Sequence, residues 1–103
     1  MNNYITITVI VEAALLPVIG QPVTLILEVD INESILEVKW RIGDALPSLR
    51  NPPERRDPFV WLAVYDRTKA LGYRNLREAT TLSYNGITSG ATIYCQKPNV
   101  WVE

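Results

Sequence analysis

Catalysis at neutral pH needs a nucleophile, a base and a group to orient them, and this sequence offers one thiol, Cys95, and no histidine. Nothing near Cys95 in the sequence would lower its pKa, so it is expected to fill the core as a small apolar residue. A lone cysteine makes no internal disulfide, and without histidine there is no usual zinc set, so no metal or other cofactor is expected. Acidic pairs such as Glu28 and Asp30 read as spaced surface charges. An enzyme is therefore not expected. The chemistry that remains is recognition: Trp61, Tyr65, Tyr73, Tyr94 and Trp101 are of the types that bury large area with few rotamers to freeze, and Lys69, Arg74 and Lys97 supply cations for an acidic partner.

The chain of 103 residues fits a single domain over 1–103, large enough to bury its own core. No apolar run approaches the roughly 20 residues of a membrane-spanning helix. The first residues carry no secretory signal, so a cytoplasmic, reducing setting is expected. The net charge of −1 argues against a nucleic-acid binder, which normally carries a basic surplus. Charge is nevertheless uneven: residues 1–49 hold six acidic and two basic groups, residues 50–103 eight basic and five acidic.

Ile5 to Val11 alternates β-branched apolar residues with threonine, the pattern of a strand with one wet face. Val23 to Val29 reads as a second strand, with Pro17, Gly20 and Pro22 between the two forming the hairpin connection. Ser34-Ile35-Leu36-Glu37 has a capping-box pattern, and Ile35, Val38, Ile42, Ala45 and Leu46 then share one helical face until Pro47. The stretch from Pro47 to Pro58, with four prolines, reads as a surface loop. It is expected to cover Trp40 and to leave Arg55 and Arg56 in solvent. Phe59 to Tyr65 gives a third strand, Tyr73 to Leu76 a short fourth and Thr92 to Gln96 a fifth.

That order is the order of the β-grasp, and the residues extend the likeness. Thr81, Leu82, Ser83, Ile87 and Thr92 match the tail segment of ubiquitin at the same spacing, and Ile35-Leu36-Glu37-Val38-Lys39, followed by Ile42 and Pro47, is similar to its helix. The resemblance to the ubiquitin-like superfamily implies an α+β fold: a mixed five-stranded sheet, strands one and five parallel at its centre, one helix across one face. Ubiquitin-like modifiers end in Gly-Gly, whereas this sequence ends Asn99-Val100-Trp101-Val102-Glu103, so conjugation is not expected and the N-terminal part of a longer protein is. Val64-Tyr65-Asp66, the aromatic stretch at Tyr73 to Leu76, and Ile93-Tyr94 leading into Pro98-Asn99-Val100-Trp101-Val102-Glu103 also resemble the N-terminal domain of the BILBO-type scaffold of the trypanosome flagellar pocket collar. That resemblance implies an aromatic and basic patch holding a cytoskeletal partner, and a cytoskeleton-associated location. This chain has Trp61 and Ala63 where that family has lysines.

In a sheet of this order, Val60, Leu62 and Val64 facing the helix would turn Phe59, Trp61, Ala63 and Tyr65 outward. Tyr94 joins them from strand five, so Trp61, Tyr65 and Tyr94 are expected to cluster on the open face, rimmed by Tyr73 and Trp101, with Lys69, Arg74 and Lys97 nearby. Two arrangements suit such a cluster: a patch that docks a peptide or loop of another protein, or a satellite core in which Lys97 to Glu103 folds back and Trp101 covers Trp61 and Tyr94. The leading expectation is a non-catalytic binding module on a scaffold. Self-association through the open face, or a ubiquitin-mimicking adaptor, are the alternatives.

Overall fold

A computed structural model describes residues 3–50, 53–70 and 72–98. The alternating segments Tyr4–Val11 (β1) and Val23–Asp30 (β2) pair antiparallel, with Tyr4 opposite Asp30 and Val11 opposite Val23. Residues Ile35–Ala45 (α1) follow, then Trp61–Tyr65 (β3), Tyr73–Asn75 (β4) and Thr92–Gln96 (β5). The sheet order is β2-β1-β5-β3-β4, and the central pair β1 and β5 is parallel. This is the α+β β-grasp architecture expected from the sequence.

The apolar positions of the strands and of α1 meet in one core. Ile7, Val9 and Val11 of β1, Val29 of β2, Leu62 of β3 and Ile93 and Cys95 of β5 face Ile35, Val38 and Ile42 of α1, all essentially without solvent exposure. Leu82, in the connection between β4 and β5, is as deeply buried. The helix starts where its sequence says it should. Ser34 Oγ accepts from the Glu37 amide at 3.1 Å and Glu37 Oε1 accepts from the Ser34 amide at 2.9 Å, so the two side chains satisfy donors that the first turn would leave orphaned.

Three expectations need correction. The third strand starts at Trp61 rather than Phe59, because the Val60 amide donates back to the Pro58 carbonyl in a tight turn and leaves Phe59 72% exposed. Ala45, at the last turn of α1, faces solvent, and Lys39 and Gly43 are buried instead. The Lys39 stem lies along the apolar face while its Nζ reaches Glu78 Oε2 at 2.8 Å. The proline-rich loop, finally, is packed rather than merely exposed: Leu49 and Pro58 are buried, and the Arg56 guanidinium sits 4.3 Å from the Trp40 ring centroid. Trp40 is thus covered by the loop as expected, with Arg56 as its cover.

Gly43 is where the loop comes closest. A Cβ there would meet the Arg56 carbonyl oxygen and Pro58 Cδ, each at 3.1 Å. Gly43→Ala gains about 1 kcal/mol of helix propensity, but overpacking of a close contact costs about 1–3 kcal/mol. We expect a lower thermal midpoint for Gly43→Ala than for the wild type, read by circular dichroism, with the loss coming from loop packing rather than from the helix.

The turn from β2 into α1 is tied by Glu33. Its Oε2 accepts from the Asp30 amide at 3.1 Å, and Arg41 reaches both carboxylate oxygens, Nε to Oε1 at 2.7 Å and Nη2 to Oε2 at 2.6 Å. Partial burial pushes the Glu33 pKa up, but the hydrogen bonds from Arg41 and the Asp30 amide outweigh it and hold the carboxyl below its ordinary range. A depressed carboxylate contributes stability above its unfolded pKa and loses it as pH falls through the folded one. Glu33→Gln should therefore lower the urea midpoint at neutral pH, and the gap to the wild type should narrow as the buffer is taken into the acid range.

Candidate functional site

The sheet face away from α1 carries the aromatic residues. Strand pairing places Tyr65 of β3 opposite Tyr73 of β4, and Ala63 of β3 between Asn75 of β4 and Tyr94 of β5. Tyr94 in turn lies beside Ile10 of β1. The three tyrosine rings touch in a row: Tyr73 stands edge-on to Tyr65 at a centroid distance of 6.3 Å and an angle of 86°, and to Tyr94 at 5.2 Å and 69°. Such edge-to-face pairs contribute about 0.5–1.5 kcal/mol each beyond their buried area. Ala63 is fully buried on this otherwise open face. Only a side chain that small lets Tyr73 and Tyr94 approach each other across β3.

The hairpin turn between β3 and β4 fixes Tyr65 against Tyr73. The Asp66 amide donates to the Gly72 carbonyl at 2.8 Å, and Asp66 Oδ1 accepts from the Thr68 amide and hydroxyl at 3.0 and 2.6 Å. Those hydrogen bonds from Thr68 hold the Asp66 carboxyl below its ordinary pKa. Gly72 closes the turn at φ +81°, a left-handed conformation in which a side chain would be strained.

The expected cluster is thus rearranged. Tyr73 is its centre rather than its rim. Trp61 lies one position further along the face of β3, opposite Gln96, and makes no ring contact with the tyrosines among the described residues. It walls an open groove together with the exposed Phe59, Arg55 and Arg77. Lys69 is exposed in the turn that follows Tyr65, whereas Lys97 follows β5 at the opposite, Trp61 end, its amide donating to Glu12 Oε1 at 2.5 Å. Arg74 does not belong to this face. It pairs with Val64, on the helix side of the sheet, where Nη1 donates to Asn85 Oδ1 at 3.3 Å and Nε lies 3.8 Å from Asp66 Oδ2. Trp101 lies outside the described residues, and so does the arrangement in which it covers Trp61 and Tyr94.

Sequence reasoning missed Ala63 as the floor of the triad and the pair Arg55 and Arg77 in the groove. Register reveals the first; nothing local in the sequence marks the second. Cys95 is buried on the helix side, and desolvation pushes its thiol up to about 12, so it stays protonated at neutral pH. No described helix is long and apolar enough to cross a membrane.

Neither a protein-family model nor a curated protein matches the sequence. Solved structures do match the fold. The ubiquitin of Caldiarchaeum subterraneum superposes with a TM-score of 0.60 at 21% identity over 94% of this chain and 96% of its own. A de novo design based on ubiquitin superposes with a TM-score of 0.57 at 19% identity, over 93% and 90% of the two chains. The fold is therefore a ubiquitin-like β-grasp.

Proposed function

We propose that this chain is a non-catalytic protein-binding module, the ubiquitin-like head of a cytoplasmic scaffold, which docks a peptide or loop of another protein on its tyrosine face. The observation that carries the reading is the row Tyr65, Tyr73 and Tyr94, held edge to face over a buried alanine on the sheet side that α1 leaves open. Rings already fixed by one another lose little freedom on binding, and each keeps a hydroxyl for a partner's backbone. Tyr65 remains 64% exposed at the turn end. Lys69 in the turn that follows favours a partner segment with an acidic residue at that end. The resemblance at the C-terminal end of the sequence favours a cytoskeletal protein as the partner.

The test is retention. Wild type and a Tyr73→Ala/Tyr94→Ala double variant, both checked for fold by circular dichroism, are immobilised and exposed to cell extract. A protein held only by the wild type supports the reading, and equal retention by both removes the site from this face.

A further inference from the structure

The β2 edge of the sheet carries a second surface, independent of the tyrosine face. β2 ends the strand order, and its eight residues contain no proline and no lysine; of the usual guards of an edge it carries only the charges of Glu28 and Asp30. The hydrogen-bond phase shows which of its groups face outward. Thr6, Thr8 and Glu12 of β1 bond towards β5, through the Gly90 amide to Thr6 O, the Thr8 amide to Ala91 O and the Glu12 amide to Cys95 O. The residues between them therefore serve β2, as the Ile31 amide donating to the Asn3 carbonyl at 3.0 Å confirms at the end of the ladder. By alternation Val23, Leu25, Leu27 and Val29 spend their backbone groups on β1, while Thr24, Ile26, Glu28 and Asp30 point theirs off the edge.

Asp30 is already satisfied, its amide by Glu33 Oε2 and its carbonyl by the Glu33 amide. Thr24, Ile26 and Glu28 are left, a set symmetric about Ile26, with no other described strand beyond them. We propose that this edge pairs with β2 of a second copy of the chain, antiparallel about a two-fold axis at Ile26, to form one continuous sheet across two molecules.

The side chains fit that register and oppose a shift of the axis towards Asp30. Ile26, 65% exposed on the outer face, lies against Ile26 of the second copy, and Thr24 lies opposite Glu28, where its hydroxyl can donate to the carboxylate. On the helix side the half-buried Leu25 and Leu27 lie opposite each other. Moving the axis to Leu27 would place Thr24 against the already bonded Asp30, and moving it to Glu28 would oppose two carboxylates. A paired edge buries less than the about 800 Å² per partner of a stable dimer, so the dissociation constant belongs between micromolar and millimolar.

Sedimentation of the whole chain over that concentration range should show a monomer–dimer equilibrium that Ile26→Lys abolishes, while thermal unfolding well below the dissociation constant stays unchanged because Ile26 is exposed in the monomer. Register is tested by mild oxidation. Hydrogen-bonded residues directly opposite stand about 5.5 Å apart between Cα atoms, within disulfide reach, so Ile26→Cys should give a covalent dimer while Cys95 stays buried. Thr24→Cys should not, because its two copies would be about 14 Å apart. A monomer at every concentration, equal crosslinking at both positions, or a dimer that survives Ile26→Lys and is broken by Tyr94→Ala would each overturn the proposal.

Discussion

Tyr94→Ala is expected to weaken partner binding by a factor of about 30 or more, the roughly 2 kcal/mol of an interface hot spot. It removes one ring of the row and the contact that Tyr73 makes towards β5, while Tyr65 and Tyr73 keep their own contact across the hairpin. Tyr94→Phe keeps the ring and loses only the hydroxyl. Its affinity should fall by far less, and calorimetry with the retained partner separates the two contributions. Tyr84→Ala is the control: Tyr84 is 79% exposed in the β4–β5 connection and outside the triad, so affinity should stay at the wild-type value.

The second large effect is on stability. Leu82→Ala should cost about 2–5 kcal/mol, a sizeable share of the about 5–15 kcal/mol that holds an ordinary domain together. Leu82 lies in a connection rather than a strand, yet it is fully buried, and its amide bonds to the Glu33 carbonyl at 3.0 Å. It anchors the connection to the turn that starts α1, with Ser34 bridged to Thr81 alongside. Ser83→Ala, one residue further and exposed, should change the urea midpoint little. Equal losses at both positions would mean that the connection, not the leucine, is the stabilising part.

Strand alternation and the Ser34 to Glu37 cap made much of this fold legible in sequence, since both are local rules with a fixed period. Alternation also put Tyr65 and Tyr94 on the open face. It could have placed Arg74 as well: a residue next to Tyr73 in a strand must point the other way, and Arg74 does. What the sequence could not carry was the interplay of separate elements. Tyr73 became central because Ala63, on a different strand, is small enough to let it reach Tyr94. Lys39 and Gly43 are buried because the proline-rich loop and Glu78 return to the helix, a matter of tertiary packing that helical periodicity does not encode. Arg56 stays exposed as expected, and only the path of the loop shows that it also lies over Trp40.

The central claim is that the tyrosine face is the docking surface, and amide shift mapping tests it most directly. The isotope-labelled chain is titrated with the partner that it retains from extract. The account predicts that the largest perturbations fall on Ala63, Tyr65, Tyr73 and Tyr94 and fade towards β2. Perturbations centred on β2, or on the Trp61 groove with the tyrosine row unchanged, would contradict it.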